Sequence, residues 1–377
     1  MSYPNLLSDI CVVEQGGFIT GPHATMLLGD LGADVIKVER PDGGDPFRSF
    51  EGGLYAPHFQ SCNRNKRSIT LDTRQLEDRD VFDQLIGRAD VYVQNFRPGI
   101  AERLGVGPER LMELNPKLIY CSITGFGPTG PYAEHACYDT VAQAYSGFLS
   151  MQLDPDSPRI AGPALADAVT GLTASHAILA ALHERQTTGR GRLVEVSMLE
   201  AMTYLCCEPF AQHFAGRTPG AYGRARLSQS YVVRCADDRL LALHLSSPEK
   251  FWTNLLETIE RPQLADDSRF ANRRLRIENH SQLSDELDRV FRTRTRAEWL
   301  KRLVELDVPS APVYDLGEML ADPQSQHLQL EVQGRHPVHG EVRTIRTAAQ
   351  FDGQRSLSFR AAPILGEHNA EIRAALR

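Results

Sequence analysis

Residues 9 to 39, DICVVEQ-GGFITGP-HATMLLGDLG-ADVIKVE, decide the fold class. Asp9 to Gln15 is a short apolar run of strand character, and Gly16 to Pro22 is rich in turn residues. His23 to Gly32 carries a short helical pattern closing on Gly32, and Ala33 to Glu39 is a second strand run. Strand, turn, helix and strand in that order open a parallel sheet with helices on its faces. The alternation continues downstream. VFDQLIGRA (81–89) reads as helix, DVYVQNF (90–96) as strand and Ile100 to Leu114 as helix. KLIYCSITGFG (117–127) reads as a strand ending in a glycine turn, Ala168 to Arg185 as a long helix, and LVEVSML (193–199) as the next strand.

The character changes near residue 220. SYVVRC-ADD-RLLALHLS (230–246) reads as a β-hairpin. Ser247-Pro248-Glu249 reads as a helix start with proline at the first helical position. Thr295-x-x-Glu298 is a capping box before Trp299, Leu300 and Leu303. VPSAPVYDLGEML (308–320) reads as a return linker, and residues 330 to 351 are strand-rich. The middle section reads as a smaller unit, α+β or mostly helical.

The 377 residues, 42% hydrophobic and 24% charged, suit two globular domains. A net charge of −7 gives no reason to expect nucleic-acid binding. No basic-then-apolar leader opens the chain, and no uninterrupted apolar run reaches the roughly 18 residues of a membrane span, so no membrane partner is expected. The seven cysteines are scattered without a C-x-x-C pair, which speaks against a metal site or a disulfide framework and for a reducing, cytoplasmic location.

Nucleotide fingerprints are weak. G-x-x-x-x-G-K-[ST] is absent, and the first turn carries Gly16-Gly17-x-x-x-Gly21 rather than G-x-G-x-x-G. Glu39 ends the second strand, where dinucleotide folds keep a ribose-binding acid, but without the glycine fingerprint it reads as a surface acid and the glycines as a turn. Basic and aromatic residues gather at strand ends instead: Lys37, Arg40, Arg48, Arg64, Lys66, Arg67, Phe96, Arg97 and Arg103. Ligands of open α/β sheets bind beyond the carboxyl ends of strands, so this set suits a phosphorylated, adenine-containing ligand. Solvated surface charge is the competing reading for each residue. His135 and Cys137 sit two apart in a loop without an activating partner, a poor cysteine nucleophile.

Asp167 is the only Asp, Glu, Lys or Arg between Arg159 and Glu184. A carboxylate in so apolar a run is costly unless bonded, paired or set at a helix start. Read locally, it is a helix N-cap, where the dipole favours its charge.

Several long segments, in order, resemble the class III CoA-transferases. They are GDLGADVIKVERPDGGDPFR (29–48), CNRNKRSITLD (62–72), ADVYVQNFRPGIAERLGVG (89–107), LNPKLIYCSITGFGPTGPY (114–132), YDTVAQAYSG (138–147), Asp167 through TTGRGRLVEVSMLEAM (187–202), and APILGEH (362–368). The likeness covers nearly the whole chain and is densest from Asp9 to Met202. It implies a large α/β, Rossmann-like domain built from both chain ends, over 1–215 and 325–377, a smaller inserted α+β domain over 222–320 and an interlocked homodimer. It also implies that Asp167 is the catalytic nucleophile. CoA contacts are implied at Arg40, Leu71, Asn95, Phe96, Arg103 and Tyr138, with Arg97 adjacent. Coenzyme A and acyl-CoA are then substrates, exchanged with a small carboxylate, and no cofactor is held permanently. Two departures stand out. Related acyl-CoA racemases carry histidine in a G-H-D motif, whereas Cys137-Tyr138-Asp139 has tyrosine there and His135 lies three residues early. Residues 220–232 lack the glycine-run loop of formyl-CoA enzymes. An acyl-CoA racemase, an NAD-dependent dehydrogenase and an inert CoA-binding protein are the rival readings.

Overall fold

The computed structural model describes residues 6–377. The described chain divides into two compact units. One comprises residues up to Leu149, Ala161–Cys207 and Gln329–Arg377; the other comprises Ser150–Ile160 and Glu208–Leu328. Residues 150–160, 208–215 and 325–328, placed in the large domain by the sequence reading, thus group with the second unit.

The first unit is built on six parallel strands: β1 (Cys11–Gln15), β2 (Asp34–Glu39), β3 (Lys66–Thr70), β4 (Val91–Gln94), β5 (Ile119–Thr124) and β6 (Arg192–Ser197). Their order is β3-β2-β1-β4-β5-β6, with Val13 opposite both Ile36 and Tyr92. Helices cover both faces, so the central strands are continuous apolar runs rather than alternating ones. Val12, Val91, Val93 and Ile119 turn to one face, against Ala24 and Leu28 of the Thr20–Asp30 helix and Ala174 and Ile178 of the Leu165–Thr188 helix. Val13, Tyr92 and Tyr120 turn to the other, against Phe82, Leu85 and Ile86 of the Leu76–Arg88 helix. Fully burying one such side chain stabilises by about 1.5–3 kcal/mol. The two helices of the first face cross closely: a Cβ on Gly171 would lie 2.8 Å from Nδ1 of His23. The C-terminal segment runs beside β3. His368 N–H donates to the Ser68 carbonyl at 3.0 Å, and Thr70 N–H donates to Oδ1 of Asn369 at 2.8 Å. A hairpin of β10 (Glu331–His336) and β11 (Gly340–Ile345) belongs to the same unit.

Three sequence expectations need correction. Ile100 to Leu114 is not one helix but two, Ile100–Arg103 and Pro108–Leu114, because Gly105 takes φ 70° and Pro108 starts anew. Pro248 is the N-cap of the Glu249–Thr258 helix rather than its first residue. The Leu165–Thr188 helix is long and apolar enough by composition to cross a membrane, but its buried side chains belong to the core just described.

In the second unit β7 (Ser230–Arg234), β8 (Leu240–His244) and β9 (Ser310–Pro312) form an antiparallel sheet. Its core gathers Trp252, Leu255, Phe270, Leu287, Phe291, Trp299 and Leu303. The Thr295/Glu298 capping box forms as its spacing requires.

Candidate active site

The chain leaves β1 on one side and β4 on the other, so a crevice opens beyond their carboxyl ends. Gly16, Gly17 and Phe18 follow β1, and Asn95 and Phe96 follow β4. A cavity of about 600 Å³ lies there, lined by Phe18, Thr20, Phe47, Phe50, Asn95, Phe96, Arg97, His135, Cys137, Tyr138, Asp139, Asp167 and Met198 among others. A second cavity, of about 560 Å³, is lined by Arg40, Leu71, Asp72, Arg74, Phe96 and Leu104 among others. Phe96 lines both.

Asp167 sits in the first turn of the Leu165–Thr188 helix, whose N-cap is Ala164. It is not the capping group. Asp139 does that work: its Oδ1 accepts the N–H of Ala166 at 2.7 Å and that of Asp167 at 3.4 Å, and its Oδ2 accepts from Nε2 of Gln143 at 2.6 Å. Among the described residues, the Asp167 carboxylate accepts no hydrogen bond and pairs with no cation. Burial, and then the negative charge of Asp139, push its pKa up to about 7. Burial and Asp139 thus work against the helix start, whose first amides are taken by Asp139 rather than by Asp167. Burial, Asp167 and Asp139 together push the Cys137 thiol up to about 11, so it stays protonated and is no nucleophile at neutral pH.

The strand-end basic cluster separates into two sets. Lys37 and Lys66 are wholly buried and hold the two carboxylate oxygens of Glu14, at 2.6 and 2.7 Å. Arg48 is buried and bidentate on Glu39, with both bonds at 2.7 Å. Arg64 is paired with Asp30, and Arg67 with Asp34 and Glu371. These five serve the scaffold. Arg40, Arg97 and Arg103 are exposed and have no acidic partner among the described residues. Arg97 and Arg40 line the first and second cavities respectively, while Arg103, on the helical turn after Arg97, lines neither.

Tyr138 is 60% exposed, and its ring meets Phe18 edge-on at 5.9 Å. Leu71 is buried in the wall of the second cavity. Asn95 lines the first cavity, with its side-chain amide engaged inside the protein. Its Oδ1 accepts from Gly17 N–H at 3.0 Å, and its Nδ2 donates to the Gly17 carbonyl at 2.8 Å and to Oγ1 of Thr20 at 2.9 Å. Both amide hydrogens are therefore spent inside the protein. Glu39 likewise takes two bonds from Arg48, one from Ser68 Oγ at 2.6 Å and one from Asp45 N–H at 3.1 Å, so it is not free for a ribose.

Sequence reasoning missed Phe18, Phe47, Phe50, Met198 and Arg74 as lining residues. Position after a strand end was the available signal for Phe18, while Phe47 and Phe50 are brought in by a short 3-10 turn at Pro46–Ser49. His135, set aside on spacing, lines the same cavity as Asp167. No group of three His, Cys, Asp or Glu side chains able to hold a metal occurs among the described residues.

An uncommitted carboxylate, Asp167, and an exposed arginine, Arg97, thus line one cavity at the switch point of an open parallel sheet, and comparison identifies the family. The model of CoA-transferase family III matches residues 7–369, and the chain belongs to that family. It is a CoA-transferase, an enzyme acting on sulfur-containing groups. The succinate–glutarate CoA-transferase of Agrobacterium fabrum is 36% identical, over 98% of this chain and 95% of that protein. The human succinyl-CoA:glutarate CoA-transferase is 31% identical, over 97% and 85%. A CAIB/BAIF family protein from Brucella suis, known as a crystal structure, superposes with a TM-score of 0.88 at 34% identity over 100% of both chains.

Proposed function

We propose that the enzyme moves CoA from an acyl-CoA, with succinyl-CoA the favoured donor, to a small carboxylic or dicarboxylic acid through Asp167. The observation that carries this reading is the Asp167 carboxylate, lining the switch-point cavity without a bond to spend elsewhere. An Asp167 oxygen attacks the thioester carbonyl, the carbon–sulfur bond breaks, and CoA thiolate leaves an aspartyl–acyl anhydride. The thiolate attacks the aspartyl carbonyl, expelling the donor acid and forming an aspartyl-CoA thioester. The acceptor carboxylate attacks that thioester and releases the thiolate, which takes the acceptor acyl group and restores Asp167. Each step exchanges similar bonds, and covalent catalysis divides one difficult transfer into easier ones. A carboxylate with a raised pKa is more nucleophilic once ionised, which suits the part.

Phe96, shared by both cavities, marks a route along which the adenine end of CoA lies near Arg40 and Leu71 and the thioester near Asp167. Arg97 and Arg103 then serve the phosphates, and Tyr138 flanks the acyl group. The large and small domains expected from the sequence, over 1–215 with 325–377 and over 222–320, are proposed to assemble as an interlocked homodimer. Leu172, Tyr204 and Phe214, at 53%, 78% and 81% exposure, offer apolar area for a second copy. Seven free thiols suit the cytoplasm.

Trapping tests the mechanism. Incubation with succinyl-CoA and hydroxylamine should convert Asp167 to its hydroxamate, located by peptide mass spectrometry. Modification at another residue, or full activity in Asp167→Ala, would sink it. A second reading, acyl-CoA racemisation, gains from His135 in the cavity, although Tyr138 occupies the expected histidine position. Deuterium uptake at the α-carbon of a 2-methylacyl-CoA in heavy water would favour it.

A further inference from the structure

Four successive backbone groups after β1 are each held by a side chain from elsewhere in the fold. Nζ of Lys37 donates to the Gly16 carbonyl at 2.9 Å. Asn95 holds both the N–H and the carbonyl of Gly17. Oδ1 of Asp45 accepts the N–H of Phe18 at 3.0 Å. The same oxygen accepts the N–H of Phe47 at 2.9 Å, while Oδ2 of Asp45 forms an ion pair with Lys37 at 2.9 Å. Asp45 is 3% exposed and Lys37 is wholly buried, and Lys37 is anchored in turn on Glu14 at 2.6 Å.

This arrangement accounts for an unusual backbone. Phe18 has φ 60°, a conformation that bulky residues avoid. Such strain persists where the surroundings over-determine it. Here Asp45 and Asn95 fix the amides on either side of the Gly17–Phe18 link. The loop has little room: a Cβ on Gly16 would lie 3.0 Å from Oδ1 of Asn95. The strained residue then turns its ring toward Phe47, at 5.9 Å, and toward Tyr138, also at 5.9 Å, in the wall of the Asp167 cavity. One carboxylate oxygen therefore sets two aromatic side chains of that wall.

We propose that Asp45, steadied by Lys37, is a positioning residue for acyl transfer, holding Phe18 and Phe47 in the geometry that places the thioester against Asp167. Neither Asp45 nor Lys37 lines the Asp167 cavity, although Asp45 borders the second one, so at the acyl group both act through the residues that do line it. The inference rests on the CoA-transfer reading above.

The test compares Asp45→Ala with Asp45→Asn in the full-length protein. Asparagine keeps an oxygen that accepts both amides, but it sets an amide NH2 against the buried Lys37 ammonium in place of the ion pair. Amide hydrogen exchange of the peptide spanning residues 16–20 is measured alongside steady-state exchange of CoA between succinyl-CoA and glutarate. Asp45→Ala should deprotect that peptide and lower kcat by about 10–100-fold, the scale of a roughly 1 Å misplacement, with KM for succinyl-CoA within about threefold of wild type. Asp45→Asn should recover part of both losses, the remainder reflecting the missing contact with Lys37. Full protection with full kcat in Asp45→Ala, or an Asp45→Asn as impaired as Asp45→Ala, would overturn the proposal. If Asp45→Ala fails to fold by circular dichroism, Asp45→Ser replaces it and is read the same way. Hydrogen exchange needs no turnover. A wild-type enzyme silent on this substrate pair therefore counts against the functional reading, whereas unchanged protection in the variant counts against the clamp.

Discussion

Asp139 accepts the backbone N–H of Asp167 at 3.4 Å and that of the preceding Ala166 at 2.7 Å, so one carboxylate caps the helix on which the other stands. The two acids divide the work available at one helix start. Asp139 takes the unpaired amides, and Asp167 is left with its oxygens uncommitted and its proton held more tightly.

The first prediction concerns pH. If ionised Asp167 is the nucleophile, kcat/KM for acyl-CoA should rise with unit slope through the region of about 7, the value to which burial and Asp139 raise its pKa. Asp139→Asn removes the like charge while keeping an oxygen for Ala166 N–H, so this limb should move to lower pH. A pH–rate profile with the limb unmoved in Asp139→Asn would refute the electrostatic part of the account.

The same shift has a thermodynamic sign. The folded-state pKa of Asp167 lies above its unfolded value of about 3.9, so its contribution to stability is fully present below that value and is lost as pH rises through about 7. Asp167→Asn removes the loss. Its melting temperature should exceed that of wild type at pH 8, and the gap should close by pH 4, as followed by calorimetry.

Arg97→Ala and Arg40→Ala should each raise KM for acyl-CoA by about 10–100-fold, the worth of a charge-assisted hydrogen bond, with kcat changed by less than about threefold. Arg67→Ala, at a strand end but paired with Asp34 and Glu371, should leave KM unchanged. Steady-state kinetics on the three variants separates the ligand set from the scaffold set.

Arg48→Met leaves Glu39 buried without its bidentate partner and should destabilise the fold by about 3–5 kcal/mol in urea denaturation. The double variant Arg48→Met/Glu39→Gln, which removes the stranded charge, should recover part of that loss. Equal stabilities for the single and double variants would show that the pair is not coupled.

The alternation of strands and helices in the first unit was legible from the apolar runs, because strands buried on both faces and helices with small residues each carry their own periodicity. The first β–α–β unit and the Thr295 capping box came through for the same reason: local chemistry alone produces them. The strand order, with its reversal between β1 and β4, was set by tertiary structure. Helix breaks were less legible. Ile100 to Leu114 keeps an apolar rhythm across a turn that only the positive φ of Gly105 reveals.

At the site, the sequence singled out Asp167 as a lone carboxylate in an apolar run and placed it at a helix start. It also identified the strand end from which Phe96 and Arg97 reach the cavity, while Tyr138, the residue before the Asp139–Tyr145 helix, was singled out in a loop and by the family resemblance. Pairing depended on tertiary structure. Arg40 and Arg48 look alike in sequence, yet one is exposed at a cavity and the other is spent on Glu39, since a charge nine residues away in the chain can be its nearest neighbour in space. Asp139 and Asp167, 28 residues apart, became capping group and candidate nucleophile only when the fold brought both to one helix end. Burial and electrostatic coupling are properties of that arrangement, and no linear pattern encodes them.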